Sequence, residues 1–346
     1  MSRYAAELRQ TARAMVAPGK GILAMDESNA TCNKRFEMLG IPTTEERRRA
    51  YRELILTTPN LSEFISGAIL YDETIRQSSQ AGVPFTQVMQ DAGMIVGIKV
   101  DTGAKDLATC PGEKVTEGLD GLRERIAEYY QMGARFAKWR AVITIGDAIP
   151  SRTCIEANAH ALARYAALCQ EGGLVPIVEP EVLIDGNHPI ERCYQVTDQT
   201  LQAVFAQLRL QNVALDQMIL KPSMVIAGLD CPTQSTVEQV AEMTIQVLRD
   251  TVPATVPGVA FLSGGQSNQR STEHLNLMNV KYGALCPWRI TFSYARAIQQ
   301  PALLHWAGND ANIPAAQQLL YHRAKLNGLA SLGQYEPAME KQTVLV

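Results

Sequence analysis

Several ionisable residues stand late in short apolar runs, where a buried charge is costly unless it is paired or used. Lys221 follows three apolar residues in MILKPSMV, and Pro222 favours extended backbone before it, so Lys221 is predicted to lie at a strand end. Glu179 and Glu181 are two residues apart in LVPIVEPEVL and therefore face the same side of a strand. Asp26 follows the run GILAM. A lysine brought together with carboxyl groups is suited to covalent catalysis through its amine.

The chemistry that suits these residues is aldol cleavage through a Schiff base. A lysine attacks a carbonyl only as the free amine, and desolvation with a neighbouring cation lowers its pKa. Lys138, in ARFAKWRAVI, is the predicted cation beside Lys221. Schiff-base formation also needs a carboxyl group of raised pKa, and a buried Glu179 beside Glu181 fits that need. Cleavage of a carbon–carbon bond needs a base for a hydroxyl proton, a role open to Asp26 or Glu179.

Each charge taken alone has an ordinary structural role available to it. Lys221 is explained as well by a strand-end lysine whose ammonium group reaches solvent. Asp26, with Glu27 and Ser28, fits a cap for a helix that starts near Thr31. The joint placement favours a site, because six of the eight predicted strands carry charges late in the run. These residues are Asp26, Lys99, Lys138 with Arg140, Glu179 with Glu181, Lys221 and Arg296.

Two groups of residues are predicted to bind phosphate. FLSGGQS provides a hydroxyl at Ser263 and exposed backbone N–H groups at Gly264 and Gly265, and Arg296 adds a guanidinium group. A glycine turn alone explains SGG equally well, but the loops after strands 7 and 8 are the usual phosphate site of parallel barrels. A second anion site is predicted from Ser28, Lys34, Arg35 and Lys99, so the substrate is expected to carry two phosphates.

Eight apolar runs are predicted to be strands, most of them separated by helical patterns. They are residues 21–28, 67–74, 94–100, 134–143, 174–183, 218–225, 258–265 and 289–298. Helices are predicted over 156–173 and 235–253, the second with Ser235 and Glu238 at capping-box spacing. This alternation predicts an α/β fold, a (β/α)8 TIM barrel with its active site at the C-terminal ends of the strands. An open doubly wound sheet is less favoured, because no GxGxxG follows the first run.

Composition and length predict one domain over residues 1–346, with a core at about 15–305. An N-terminal amphipathic helix carries Tyr4, Leu8, Ala12 and Met15 on one face, and a C-terminal helical extension leads to a tail at about 333–346. The net charge of −3 and the absence of a basic stripe argue against nucleic acid, and Arg47-Arg48-Arg49 is interpreted as a solvated helix face. No apolar run approaches the ~20 residues that span a membrane, and the N-terminus does not resemble a signal peptide.

The cysteines and histidines bear on compartment and cofactors. Seven dispersed cysteines without CxxC spacing predict reduced thiols in a cytoplasm, although a regulatory disulfide stays open. The five histidines are dispersed, and only His188 directly follows a predicted strand. We therefore expect no metal and no cofactor.

The motifs GILAMDES, GIKVDTG, FAKWRAV, VPIVEPEVLIDGNH, MILKPSMV, FLSGGQS and TFSYARA resemble, in order, those of class I fructose-1,6-bisphosphate aldolase. The resemblance spans about residues 1–330 and implies a TIM barrel that cleaves fructose 1,6-bisphosphate reversibly through a lysine Schiff base, without metal. It implies that Lys221 is the Schiff-base lysine. Glu179 is then the acid and base for Schiff-base formation, with Glu181 and Lys138 beside it. Asp26 handles the C4 hydroxyl proton, a role shared with Glu179.

The same resemblance implies which residues contact the two phosphates, and the sequence departs from the family pattern at two points. Ser263, Gly264, Gly265, Ser293, Ala295 and Arg296 resemble the 1-phosphate site, and Ser28, Thr31, Arg35 and Lys99 resemble groups near the 6-phosphate, with Arg140 between. Ala295 stands where the family has glycine, so its β-carbon is expected to narrow the pocket. Many members end in a terminal tyrosine that assists proton exchange. The last tyrosine here is Tyr335, and we predict slower exchange rather than substitution by Tyr335.

Two further expectations follow from the resemblance, and two alternatives stay open. The protein is expected to act in glycolysis and gluconeogenesis or the Calvin cycle, and to form a homo-oligomer, a tetramer in this family. The alternatives are a Schiff-base aldolase that acts mainly on another sugar bisphosphate, such as sedoheptulose 1,7-bisphosphate, and a non-catalytic scaffold. The scaffold is less favoured because Lys221, Glu179, Lys138 and Asp26 are all present.

Overall fold

Eight parallel strands close into a barrel in the computed structural model, which describes residues 3–341. The barrel strands are β1 (Gly21–Ala24), β2 (Ile65–Leu70), β3 (Ile95–Lys99), β6 (Phe136–Ile143), β7 (Val175–Val182), β8 (Ile219–Leu220), β9 (Gly258–Phe261) and β10 (Arg289–Tyr294). Around the barrel each strand pairs with its neighbours in the order β1-β10-β9-β8-β7-β6-β3-β2. The predicted (β/α)8 barrel is confirmed, with all eight strands inside or overlapping the predicted runs.

Several strands end earlier than predicted, at the edge of the barrel where the charges begin. The run 218–225 forms a strand only at Ile219–Leu220, because Pro222 has no N–H group to donate to a ladder. The run 258–265 ends at Phe261, because Gly264 and Gly265 adopt positive φ angles of 54° and 83°. Lys221 therefore lies just beyond β8, although its backbone N–H still donates to the Val178 carbonyl at 2.8 Å.

A short antiparallel hairpin between β3 and β6 was not predicted. Its strands are β4 (Gly103–Asp106) and β5 (Lys114–Glu117). Buried Glu113 anchors it, because the Ser151 backbone N–H and hydroxyl each donate to this carboxylate at 2.6 Å. Strands of four mostly polar residues carry too weak an alternation to be identified from sequence.

Helices surround the barrel and cover its strands. They are α1 (Ala5–Met15), α2 (Asn29–Glu37), α3 (Glu45–Leu56), α4 (Asp72–Ile75), α5 (Phe85–Asp91), α6 (Leu122–Gln131), α7 (Arg152–Glu171), α8 (Ile190–Leu210), α9 (Val237–Thr251), α10 (Asn268–Tyr282), α11 (Arg296–Trp306) and α12 (Ile313–Ala330). The two long helices predicted between strands are α7 and α9. The capping box of α9 was predicted one residue early: Thr236 and Gln239 form it, because Thr236 is the extended residue before the first helical turn.

The lower interior of the barrel is apolar and is closed by α1. Ile22, Ala24, Ile69 and Ile177 pack there against Leu8, Ala12 and Met15 of α1, which confirms the predicted apolar face of that helix. Phe136 fills the centre of this level. A β-carbon at Gly97 would lie 2.1 Å from the Phe136 ring, so only glycine fits beside it.

The three consecutive arginines of α3 do not form the solvated face that was predicted. Arg48 is buried and makes a two-pronged ion pair with Glu73, at 2.8 Å from Nε and 2.7 Å from Nη2. A charge pattern alone cannot show that one face of an exposed-looking helix packs against a partner carboxylate.

The structure bears on the predicted reduced thiols and on the absence of a membrane-spanning segment among the described residues. All seven cysteines have free thiols. Among residues 3–341, every helix is too short or too polar to cross a membrane. The part of the predicted tail over 342–346 lies outside the described residues.

Candidate active site

The predicted site residues lie at the C-terminal end of the barrel interior, directly above the apolar level. Alternate strand residues face inward, so the residue two positions after an inward apolar residue faces inward at the next level. Strand register brings neighbours side by side: Lys99 is opposite Lys138, and Arg140 is opposite Glu179. The inward pairs are Ala24 and Asp26, Gly97 and Lys99, Phe136 and Lys138, Ile177 and Glu179, and Ile219 and Lys221.

Four buried groups form a continuous chain of alternating charge. The Lys221 Nζ atom lies 3.2 Å from Glu179 Oε1, and the Lys138 Nζ atom lies 3.4 Å from Glu179 Oε2. The same Lys138 atom lies 2.6 Å from Asp26 Oδ2. Because two cations alternate with two carboxylates, each buried charge has an opposite neighbour, which offsets part of its desolvation cost.

The protonation states of Asp26 and Lys138 follow from this chain. Burial alone raises the pKa of Asp26, but the nearby ammonium groups, Lys138 first, outweigh it and hold that pKa well below its usual range. Burial alone lowers the pKa of Lys138, but Asp26 and then Glu179 hold it well above its usual range. At neutral pH Asp26 is therefore a carboxylate and Lys138 a fixed cation, as expected for the neighbour of a reactive lysine.

Glu181 lies one level above Glu179 on the same strand. Its carboxylate pairs with the Arg140 guanidinium group. Burial lowers and Glu181 raises the pKa of Arg140, which ends well above its usual range. The nearest charges to Glu179 are consequently the two lysines, and Arg140 is the half-exposed cation at the rim of the mouth.

Asp101 belongs to the site although sequence reasoning did not single it out. It is buried, lies 3.4 Å from the Lys99 Nζ atom, and accepts the Arg140 backbone N–H at 3.3 Å. Asp101 thus holds Lys99 against β6. Its place two residues after Lys99 in GIKVDTG was the available signal, because that spacing continues the inward-facing row.

The glycine loop after β9 and the start of α11 lie against one another. A β-carbon on Gly265 would lie 3.5 Å from the Arg296 Nη2 atom, which places the guanidinium group directly over the loop. Ser263 is buried beside it, and the buried Ser293 hydroxyl has no hydrogen-bond partner among the described residues. Ser263, Gly264, Gly265, Ser293, Ala295 and Arg296 are thereby brought together at the ends of β9 and β10.

Ala295 does not adopt the left-handed conformation that would require glycine. Its φ angle is −103°, so the sign of φ does not exclude a β-carbon where the family pattern has glycine. Ala295 is the N-cap of α11, next to backbone N–H groups at the start of that helix. Narrowing of the pocket by the β-carbon stays a prediction.

Gln266 ties the glycine loop to the segment that carries Lys221, and sequence reasoning missed it. Its side-chain oxygen lies 2.6 Å from His274 Nδ1, and its Nε2 donates to the Met224 sulfur at 3.5 Å. The Leu262 backbone N–H also donates to the Pro222 carbonyl at 3.2 Å. A polar glutamine in a glycine loop carries no sequence signal for such contacts.

The residues of the second predicted anion group lie on two elements: Lys99 ends β3, and the others lie at the start or in the last turn of α2. The Ser28 hydroxyl accepts the Thr31 backbone N–H at 3.3 Å and caps the helix. This position also confirms the interpretation of Ser28 as part of a helix cap. Arg35 is turned toward Glu27, with its Nη1 atom 2.5 Å from Glu27 Oε1, while Lys34 is exposed. Ser28, Thr31 and Arg35 are therefore brought together by one short helix.

Tyr335 is held away from solvent among the outer helices. It is 4% exposed, its hydroxyl donates to Glu340 at 3.1 Å, and its backbone N–H donates to Asn276 of α10 at 3.0 Å. Burial and Glu340 raise the pKa of this phenol well above its usual range. These contacts commit the hydroxyl to Glu340.

Fold and site define an enzyme of the (β/α)8-barrel class, with ionisable groups gathered at the carboxyl ends of the strands. The family model "Fructose-bisphosphate aldolase class-I" matches residues 7–345. A protein of Xanthomonas campestris pv. campestris, "Probable fructose-bisphosphate aldolase class 1", is 62% identical over 95% of this chain and 98% of its own. A Dictyostelium discoideum fructose-bisphosphate aldolase is 50% identical over 96% of this chain and 94% of its own.

A solved structure agrees with these sequence comparisons. The fructose-bisphosphate aldolase of Plasmodium falciparum, determined in complex with TRAP and a small-molecule inhibitor, superposes with a TM-score of 0.94. It is 46% identical and covers 97% of both chains. This chain belongs to the class I fructose-bisphosphate aldolase family and is a lyase, as the sequence motifs predicted.

Proposed function

We propose that Lys221 is the nucleophile with which this aldolase cleaves fructose 1,6-bisphosphate to dihydroxyacetone phosphate and glyceraldehyde 3-phosphate. The observation that carries the proposal is the 3.2 Å separation of the buried Lys221 amine from Glu179. Glu179 accepts a proton from the lysine, and the free amine then attacks the C2 carbonyl of the open-chain sugar. The protonated Glu179 returns the proton to the carbinolamine hydroxyl, which leaves as water and forms the iminium ion.

Asp26 is proposed to act in the cleavage step. It takes the proton from the C4 hydroxyl, the C3–C4 bond breaks, and the electron pair passes into the iminium ion to form an enamine as the aldehyde leaves. Lys138 holds Asp26 ionised and therefore ready to accept that proton. Lys138 also contacts Glu179. Both carboxylates therefore lie beside the same cation, and we propose that they share the handling of the C4 hydroxyl proton. Glu181 positions Arg140 above them.

The two phosphates are proposed to bind at opposite sides of the mouth. The 1-phosphate meets the Ser263 and Ser293 hydroxyls, backbone N–H groups at Gly264, Gly265 and Ala295, and the Arg296 guanidinium group. The 6-phosphate meets Ser28, Thr31, Arg35 and Lys99, with Arg140 between the two sites. Sedoheptulose 1,7-bisphosphate, with phosphates at both ends, is the proposed second substrate.

Further proposals concern the domain organisation, the oligomeric state and the cellular compartment of the enzyme. We propose one domain over residues 1–346 with the barrel core at about 15–305, and a homotetramer in the cytoplasm. Dispersed free thiols support a reducing compartment. The commitment of the Tyr335 hydroxyl to Glu340 supports slow proton exchange on the enamine rather than a catalytic Tyr335.

The proposed mechanism is tested by cleavage of fructose 1,6-bisphosphate in the presence of EDTA. The wild-type protein is expected to retain full activity, and Lys221→Met is expected to lose it. Lys281→Met, which removes an exposed lysine of α10, is the matched control and is expected to stay active. Activity that EDTA abolishes, or that survives in Lys221→Met, would contradict the proposal. Removal of residues after Leu332 tests the tail: unchanged turnover and carbanion exchange would exclude a role for it in exchange.

A further inference from the structure

Two arginines of α3 are buried, which is unusual for charged side chains unless they are paired. Arg48 and Arg52 are four residues apart and therefore lie on one face of the helix. Arg48 pairs with Glu73 of α4 and donates to Asn33 of α2. Arg52, only 2% exposed, instead reaches Glu27, the residue that follows Asp26. Neither arginine has a role in the chemistry described above.

Arg52 contacts Glu27 at two points. Its Nη1 atom lies 2.9 Å from Glu27 Oε2, and its Nη2 donates to the Glu27 backbone carbonyl at 3.3 Å. The other carboxylate oxygen, Oε1, pairs with Arg35 at 2.5 Å. Glu27 therefore lies between two guanidinium groups. Of the three side chains Arg35 is the most accessible, at 19% exposed, against 3% for Arg52 and 7% for Glu27.

The charge balance of this cluster depends on Arg52. Burial alone raises the pKa of Glu27, but Arg52 and then Arg35 outweigh it, so the carboxylate stays ionised. Two cations and one anion leave a net positive charge on the cluster. Without Arg52, Glu27 would pair with Arg35 alone, and its charge would cancel that of the guanidinium group on which the proposed 6-phosphate site depends.

We infer that Arg52 is a positioning residue for recognition of the distal phosphate: it holds Glu27 so that Glu27 orients Arg35 without neutralising the site. This inference rests on the proposed placement of the 6-phosphate at Arg35. On this inference, Arg52 contributes to the preference of the enzyme for a sugar with two phosphates over a sugar that has only the 1-phosphate. Arg52 does not touch substrate and acts through Glu27 and Arg35.

The test compares kcat/KM for fructose 1,6-bisphosphate and fructose 1-phosphate, because the second sugar lacks the distal phosphate. Arg52→Met is expected to lower the value for the bisphosphate about 10- to 100-fold, the range of a lost charge-assisted contact, and to leave the monophosphate nearly unchanged. Arg52→Lys is expected to recover part of the loss, because an ammonium group keeps the charge but cannot make both contacts.

Two further variants show whether the effect is specific to Arg52 and to the distal phosphate. Arg49→Met removes an arginine of the same helix that pairs with Glu46 and Glu53 of α3 itself, and it is expected to leave the ratio of the two substrates unchanged. Arg35→Gln is expected to lower the ratio at least as much as Arg52→Met. If Arg35→Gln leaves the ratio unchanged, the placement of the 6-phosphate fails, and the inference fails with it.

The remaining outcomes bear on Arg52 alone. A ratio that falls in Arg35→Gln but not in Arg52→Met or Arg52→Lys would overturn the inference and leave the 6-phosphate site standing. An equal loss for both substrates in the Arg52 variants would also overturn it, because it would show a general disturbance of Asp26 and its surroundings. If Arg52→Met does not fold, Arg52→Lys decides between these outcomes.

Discussion

The interior of the barrel has two levels that share the same strands and the same inward direction but differ completely in chemistry. The lower level is apolar and lies against α1. The upper level, two residues further along each strand, consists of ionisable groups in direct contact. The paired residues are Ala24 and Asp26, Phe136 and Lys138, Ile177 and Glu179, and Ile219 and Lys221.

The difference shows how one scaffold divides stability from function. Burial of apolar side chains in the lower level stabilises the fold. Desolvation of the ionic groups above costs free energy that their mutual attraction only partly offsets, so these groups are costly unless chemistry requires them. We therefore expect substitutions in the lower level to lower stability and substitutions in the upper level to lower activity.

The largest expected effect is on activity, from Glu179→Gln in the upper level. The amide keeps the shape of the side chain but cannot exchange a proton with Lys221, so kcat should fall about 10²- to 10⁴-fold. Steady-state kinetics with fructose 1,6-bisphosphate, on protein that circular dichroism shows to be folded, measures the loss. Glu191→Gln, at an exposed position of α8, is the matched control. A fully active Glu179→Gln variant would remove Glu179 from the mechanism.

The next effect is on stability, from Phe136→Ala in the lower level. Loss of this fully buried ring should lower the free energy of unfolding by about 3–5 kcal/mol, because the glycines beside it cannot fill the cavity. Chemical denaturation measures the change, and the folded fraction should keep its specific activity at low temperature. Leu304→Ala, at a half-exposed site on α11, should change stability little. Equal stability of the Phe136→Ala variant would refute the division between the two levels.

A smaller effect concerns the pH dependence of stability and arises outside both levels, at His274. Burial, with Arg270 nearby, lowers the pKa of His274 to about 3 from an ordinary value of 6.5. Between these values the unfolded chain binds one more proton than the folded protein, so stability is lost as pH falls below about 6.5.

His274→Gln should therefore lose less stability than wild type between pH 7.5 and 5, as measured by urea unfolding at each pH. Asp26 does not interfere in this window, because its pKa is depressed and its contribution is lost only below its ordinary value of 3.8. His160→Gln, at an exposed position, is the control. Identical pH profiles for wild type and His274→Gln would contradict a buried neutral His274.

The smallest effect is expected from Ala295→Gly at the rim of the upper level. Glycine is tolerated at a helix N-cap, and the φ angle of Ala295 is not in the left-handed region. Removal of the β-carbon should lower KM for fructose 1,6-bisphosphate by less than about tenfold, an effect of under 1.4 kcal/mol. A rise in KM, or a large loss of kcat, would show that the β-carbon does not narrow the phosphate pocket.

The sequence predicted the eight strands and the charged residues late in them, but not the contacts that brace those residues. The strands and the shared side of Lys138 and Arg140 follow from a period of two residues, which is a local signal. Partners far apart in the chain leave no such signal. Arg52 and Glu27 meet only because α3 packs beside the end of β1, and Gln266 meets Met224 only because two loops adjoin. For the same reason Arg48 was mistaken for a solvated residue.

The central claim is that Lys221 is the nucleophile of the upper level. Reduction with borohydride in the presence of fructose 1,6-bisphosphate and EDTA, followed by peptide mass spectrometry, tests it most directly. The account predicts a triose-phosphate adduct on Lys221 alone, with none on Lys138, which its carboxylate neighbours keep protonated. An adduct on another lysine, or active cleavage without any adduct, would contradict it.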